Sequence, residues 1–175
     1  MDTPTASDIK RPECTQTFWG WMIRFIIVAL CFWQSRNLLD IWQHSPYDAA
    51  GLWAFLIWLL PLRQAWDDRA RGLPSAIPMW GAVGLCMGAI FVDMHVVAYY
   101  ALALSIIGLR QWAWTSWVWL VGAISWMNVI GYTLSNYGYS PTQSIILRFV
   151  LVCLSIGCAL YVEAKSIGKQ ASKKA

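Results

Sequence analysis

The sequence predicts an all-α, polytopic membrane protein, a bundle of about six transmembrane helices. Three observations lead there. Apolar residues make up 58% of the 175 and charged residues 13%, against about 25% charged in soluble domains. Apolar runs recur along the chain, separated by short polar or basic segments. Thirteen tryptophans and seven tyrosines supply the amphipathic rings that accumulate where a bilayer meets water. The net charge of +4 lies mostly in loops and the tail, which sets orientation and does not suggest nucleic-acid binding. One domain's worth of chain divides into a polar segment 1–17, a transmembrane domain 18–163 and a basic cytoplasmic tail 164–175.

The polar lead carries acids and two prolines, so it reads neither as a signal peptide nor as a transit peptide. Phe18 to Trp33 is the first span, interrupted by Arg24. That arginine lies about 9 Å inside the helix start at 1.5 Å per residue. Its long stem is able to snorkel to the interface, and a buried functional charge is the alternative. Gln34 to Ala49 reads as an external loop with Arg36, Asp40, His44 and Asp48, and Ala50 to Leu62 as a short second span. Arg63, Arg69 and Arg71 close that span on the cytoplasmic side by the positive-inside tendency.

Ile77 to Leu109 holds two apolar runs around Asp93, Met94 and His95. Lys165, Lys169, Lys173 and Lys174 form a second basic cluster at the end of the chain. Both clusters are cytoplasmic only if an even number of spans separates them, so this stretch is expected to be a helical hairpin with the three residues as its turn. Each arm has about 14 to 16 residues, short against the usual requirement of about 17 to 25. Gly84 and Gly88 form a GxxxG pair that permits close helix packing. Trp112 to Tyr132 is the fifth span, Thr133 to Thr142 an uncharged loop, and Gln143 to Val162 the sixth span, containing Arg148. Both termini are then cytoplasmic.

In this orientation Asp93, His95, Asn128 and Arg148 converge on the outer face. Arg148 opposes the positive-inside tendency, and an ionisable group inside a span is costly. It serves either a structural ion pair with Asp93 or a contact to an anion or carboxylate. His95 beside Asp93 is either an acid–base pair or an interfacial polar residue. The five cysteines, at positions 14, 31, 86, 153 and 158, include no CxxC and no histidine at metal-ligand spacing. Cys86 and Cys153, with Arg148, are the candidates for thiol catalysis, which needs a base or a positive field near the sulfur. His95 stands about 13 Å from Cys86 along a helix. No metal, phosphate-loop or hydrolase motif appears, and no cofactor is expected.

The run LLDIWQHSPYDAAGLWAFLIWLLPLRQAWDDRARGL, from Leu38 to Leu73, resembles the amino-terminal part of the exosortase and archaeosortase family of multi-pass membrane proteins. Trp42, Gly51, Trp58, Arg63, Trp66 and Arg69 stand in similar places, and ALALSIIGLRQWAWTSWVWLVGAISW is similar to the family's next spans. Ala50-Gly51 replaces the family's His-Gly pair. The family's transpeptidase set, a cysteine in an Ala-Cys-Ser-Gly context followed by basic residues in later spans, is not carried here: Cys153, in VCLSIG, has only a superficial likeness to that cysteine, and no basic residue follows it before the tail. The resemblance implies a shortened, non-catalytic relative in the inner membrane of a bacterium, working with other membrane proteins in sorting, export or surface-polysaccharide assembly. A membrane cysteine transpeptidase or protease and a small transporter or channel are the alternatives, and a homo-oligomer stays open.

Overall fold

The computed structural model describes residues 14–60 and 74–172, with side chains over 18–60 and 74–162. All regular structure in these residues is helical. The elements are α1 (Cys14–Gln34), α2 (Asn37–His44), α3 (Gly51–Leu59), α4 (Ile77–Val92), α5 (His95–Ile107), α6 (Thr115–Gly122), a 3₁₀ turn (Ala123–Trp126), α7 (Val129–Asn136) and α8 (Pro141–Ser172). The basic stretch with Arg63, Arg69 and Arg71 lies outside the described residues.

Among the described residues one helix, over Pro141–Val162, is long and apolar enough by itself to cross a membrane. Two bent pairs satisfy the same criterion together: Phe18–Gln34 with Asn37–His44, bent by 47°, and Thr115–Trp126 with Val129–Asn136, bent by 54°. The helices Ile77–Val92 and His95–Ile107 are apolar but shorter. Three expectations are corrected by this arrangement. The first external loop is largely the helix α2; the fifth span is broken at Trp126–Met127; and the loop expected from Thr133 begins as the last turn of α7.

Asp93 ends α4 in the left-handed conformation, φ 53° and ψ 36°, and α5 starts two residues later. Aspartate is among the few residues that enter this region readily, and the reversal makes α4 and α5 a hairpin. α5 is apolar almost all round and buried: Ala98, Tyr99, Ala101, Leu102, Ala103, Ser105, Ile106 and Ile107 are enclosed. A helix apolar on every face is a core element. Its alanines let α1, α4 and α6 approach. α1 runs antiparallel to it, with Arg24 reaching the carbonyl of Gly108 and the Ser35 hydroxyl donating to the carbonyl of Ala98 at 3.1 Å.

The second half of the core is aromatic. Trp42, Phe55, Trp58, Trp119 and Trp126 are all buried, with ring centroids 5.1 to 6.2 Å apart. Such pairs add about 0.5–1.5 kcal/mol each beyond the area they bury. The Trp58 indole donates to the carbonyl of Trp119 at 2.9 Å, and that of Trp42 to the carbonyl of Trp126 at 3.1 Å. Tryptophan is therefore not confined to exposed positions. Trp19, Trp33, Trp53, Trp80, Trp114 and Trp117 are exposed, whereas these four tie α2 and α3 to the broken helix. Gly51 permits this closeness, because a β-carbon there would collide with the Trp42 indole.

Candidate functional site

The break between α6 and α7 organises the polar groups. α6 tightens into the 3₁₀ turn Ala123–Trp126, Met127 is extended (ψ 154°), and α7 resumes after Asn128. A helix that ends leaves its last carbonyls without intrahelical partners, and a buried orphan carbonyl costs about 1–3 kcal/mol. Side chains from other elements meet these carbonyls. Arg148 Nη1 donates to Ser125 O and Met127 O, both at 3.0 Å, and Trp42 Nε1 takes the intervening Trp126 O. Three consecutive carbonyls are satisfied by one guanidinium and one indole.

Arg148 is fully buried, and its Nη2 forms an ion pair with Asp48 Oδ1. Asp48 sits on the turn between α2 and α3, where Ser45 Oγ donates to Oδ2 at 2.9 Å. Burial raises the Asp48 carboxyl above the usual carboxylate range, against the opposite pulls of Arg148 and the Ser45 hydroxyl. Gly131 on α7 backs the carboxylate, and a β-carbon there would collide with it. Ser144, one turn before Arg148, donates to Tyr47 O at 2.8 Å. Ser144, Arg148, Val152 and Ala159 are the buried residues among the described side chains of α8, a narrow stripe at near-helical spacing.

One cavity adjoins the pair, and a second shares part of its lining. The first, of about 230 Å³, is polar and lined among others by Ser45, Tyr47, Asp48, Asn128, Tyr132 and Ser135. The other, of about 400 Å³, is lined by Met94, His95, Val96, Asn128, Val129 and Tyr132. Asn128 and Tyr132 are shared between them. Asn128 precedes the first residue of α7 yet makes no side-chain cap, and its Oδ1 is buried without a partner.

The expected outer cluster is thus partly reassembled. His95 and Asn128 meet across one cavity, and Asn128 and the Arg148 counter-ion meet across the other. The pairing of Arg148 with Asp93 is corrected: Asp93 is exposed at the hairpin turn, and Arg148 is held by Asp48, which a reading of the loop alone left without a role. The signal for Asp48 was chemical, since a carboxylate offsets the charge of an arginine buried in a span and few were on offer. Arg24 is likewise engaged by the frame. It is buried, donating to the carbonyls of Pro74, Ser75 and Gly108.

Cys86 is half-buried and packs on the α1–α5 core, while Cys153 and Cys158 are exposed on α8. Neither Cys86 nor Cys153 is brought to Arg148, whose described partners are Asp48, Ser125 and Met127. Gly84 and Gly88 do not make the close helix approach expected of them within the described residues: a β-carbon at either would meet nothing within 4 Å. No group of three or more His, Cys, Asp or Glu side chains gathers in metal-binding proximity among the described residues. No protein-family model, curated protein or solved structure matches the chain.

Proposed function

We propose that the chain is a six-span integral membrane protein that acts through partner proteins in the bilayer and not through catalysis of its own. The observation that carries this reading is the engagement of Arg148. The residue with the strongest claim to chemistry has its guanidinium held by two backbone carbonyls and one carboxylate of the frame. The candidate thiols stand apart from it. The spans would be α1, α3, α4, α5, α6 with α7, and α8. Phe18, Ile23 and Ile26 on α1, Ile90 and Phe91 on α4, and Ile146, Val150 and Leu154 on α8 are exposed, as lipid-facing residues would be. A broken helix is tolerated at membrane depth where protein surrounds it, which the enclosure of residues 125–127 supplies. The partners are those of a sorting, export or surface-polysaccharide system, as the exosortase resemblance implies.

Single cysteines at Met94 and Ser140, in a cysteine-free background, test the topology. Labelling of both by a membrane-impermeant thiol reagent on intact cells is expected, and protection of either overturns the six-span arrangement. The partner role predicts that Cys86→Ser and Cys153→Ser leave the cellular phenotype intact, whereas loss on either substitution restores the thiol-enzyme reading.

A small-solute pocket or pathway is a second reading, favoured by the polar cavity that adjoins the broken helix. Discontinuous helices at midplane commonly border transport sites. Flux that falls on Tyr132→Ala in protein that folds normally would support it.

A further inference from the structure

The two buried arginines are compensated differently. Arg148 has Asp48, but among the described residues Arg24 meets only neutral acceptors: Nη1 donates to Gly108 O at 2.8 Å and Ser75 O at 3.4 Å, and Nη2 donates to Pro74 O. No described carboxylate pairs with it. A guanidinium offers five N–H donors, so Nε–H and one Nη2 hydrogen remain. Neither nitrogen is sealed in the protein without a partner, in contrast to Nε of Arg148. Arg24 instead lines an open cavity of about 200 Å³ between α1 and α4, whose other walls are Gly20, Ile23, Ile27, Ala76, Met79 and Trp80.

The position of this cavity is informative. Gly108 closes α5, and Pro74 and Ser75 lead into α4, so the guanidinium lies at the rim of the bundle opposite the Asp93 turn. Trp80, in the cavity wall, is largely exposed, as is Trp19 one turn before Arg24. Exposed indoles at a bundle rim mark the headgroup level of a bilayer. The C-terminal carbonyls of α5 offset part of the arginine charge through the helix dipole, and no anion among the described residues meets the remainder. Arginine's paired donors match phosphate oxygens side by side, and the apolar walls suit a hydrocarbon chain.

We propose that Arg24 and the α1–α4 cavity hold the phosphate of an anionic phospholipid, with one acyl chain lying over Ile23 and Ile27. The proposal rests on the membrane placement but not on the partner role, and it is separate from the Asp48–Arg148 pair. Charge complementarity selects this occupant. A net-negative headgroup supplies the missing counter-charge, which a zwitterionic headgroup largely cancels within itself.

The test reconstitutes the full chain in nanodiscs holding equal amounts of phosphatidylglycerol and phosphatidylcholine, then counts lipids retained after release into neutral detergent by native mass spectrometry. One phosphatidylglycerol retained in preference to phosphatidylcholine is the expected result, with retention about tenfold weaker in Arg24→Gln, a change worth about 1.4 kcal/mol. Equal retention of the two lipids, or preference unchanged in Arg24→Gln, overturns the proposal. Gly20→Leu fills the cavity and leaves the charge in place, so it serves if Arg24→Gln does not fold. It is expected to lose the retained lipid, and full retention overturns the proposal. A final arm adds inorganic phosphate at millimolar concentration: displacement of the lipid by phosphate alone would make this a free-anion site and overturn the lipid assignment. Failure of the cysteine-labelling topology with lipid preference intact would sink the six-span arrangement and leave this site standing.

Discussion

Asp48 and Arg148, one hundred residues apart in sequence, form a buried ion pair that closes the turn between α2 and α3 onto α8. The same guanidinium holds the ends of the broken helix, so one side chain joins three elements.

Removing either partner is expected to have unequal effects. Arg148→Met strands a buried carboxylate and two carbonyls, and breaking a buried pair from one side costs about 3–5 kcal/mol. Asp48→Asn is expected to cost less, because the amide oxygen still accepts from Arg148 while its NH2 turns to the Ser45 hydroxyl, and burial already favours the neutral carboxyl. In the double variant the loss falls short of the sum. Thermal or denaturant unfolding of all four proteins in one detergent checks this, and strict additivity counts against a coupled pair.

Acidity should act on the same carboxyl. Because its native pKa lies above the value in an unfolded chain, about 3.9, the folded protein binds this proton more tightly. Its stabilising contribution is present below about 3.9 and is lost as pH rises through the native value. The difference in melting midpoint between the parent protein and Asp48→Asn should therefore change with pH across the mildly acidic range and level off above it. A difference constant with pH would show that Asp48 titrates like an exposed residue.

Glycine positions separate a crowded interior from an open face. Gly131→Ala drives a methyl group into the Asp48 carboxylate, and Gly51→Ala drives one into the Trp42 indole. Both should destabilise by about 1–3 kcal/mol, the range for overpacking. Gly84→Ala and Gly88→Ala meet open space and should leave stability unchanged or raise it by up to about 1 kcal/mol through helix propensity. A self-association that uses this face would appear as weakened association in Gly84→Leu, measured by analytical ultracentrifugation.

Trp42→Phe keeps an aromatic body but deletes the donor to Trp126 O, leaving a buried carbonyl unmet. A loss of about 1–3 kcal/mol is expected, with Trp58→Phe costing less because Trp119 O also accepts from the backbone N–H of Ala123. Trp53→Phe, at an exposed indole, should be close to neutral. Equal effects at positions 42 and 53 would argue against the hydrogen bond as the cause.

The helical class and the turn at Asp93 were legible because both are local. Apolar runs and a polar interruption between them are properties of adjacent residues, and aspartate tolerates the left-handed conformation that the turn needs. The break at Trp126–Met127 was not legible. WAWTSWVWLVGAISWMNVIGY carries no proline or charge, so its pattern reads as one continuous helix, and the bend is maintained by Arg148 and Trp42 from elsewhere in the chain. Arg148 stood out as a charge in an apolar run, but Asp48 lay in a loop with two other charged neighbours, and nothing within a short window couples it to a residue one hundred positions away. The tryptophans misled for a related reason. An interfacial indole and a core indole that bonds a carbonyl have the same local surroundings in sequence.

Placing the guanidinium in α8, after all of its partners in the chain, also sets an order of assembly. The carbonyls of Ser125 and Met127 leave the ribosome 23 and 21 residues ahead of Arg148, and the Asp48 carboxylate a full hundred ahead of it. Until α8 is synthesised and packed, the earlier helices carry an unclosed kink and a lone acid. Packing of α8, and not emergence of any earlier span, is therefore the event that closes the kink and pairs the acid.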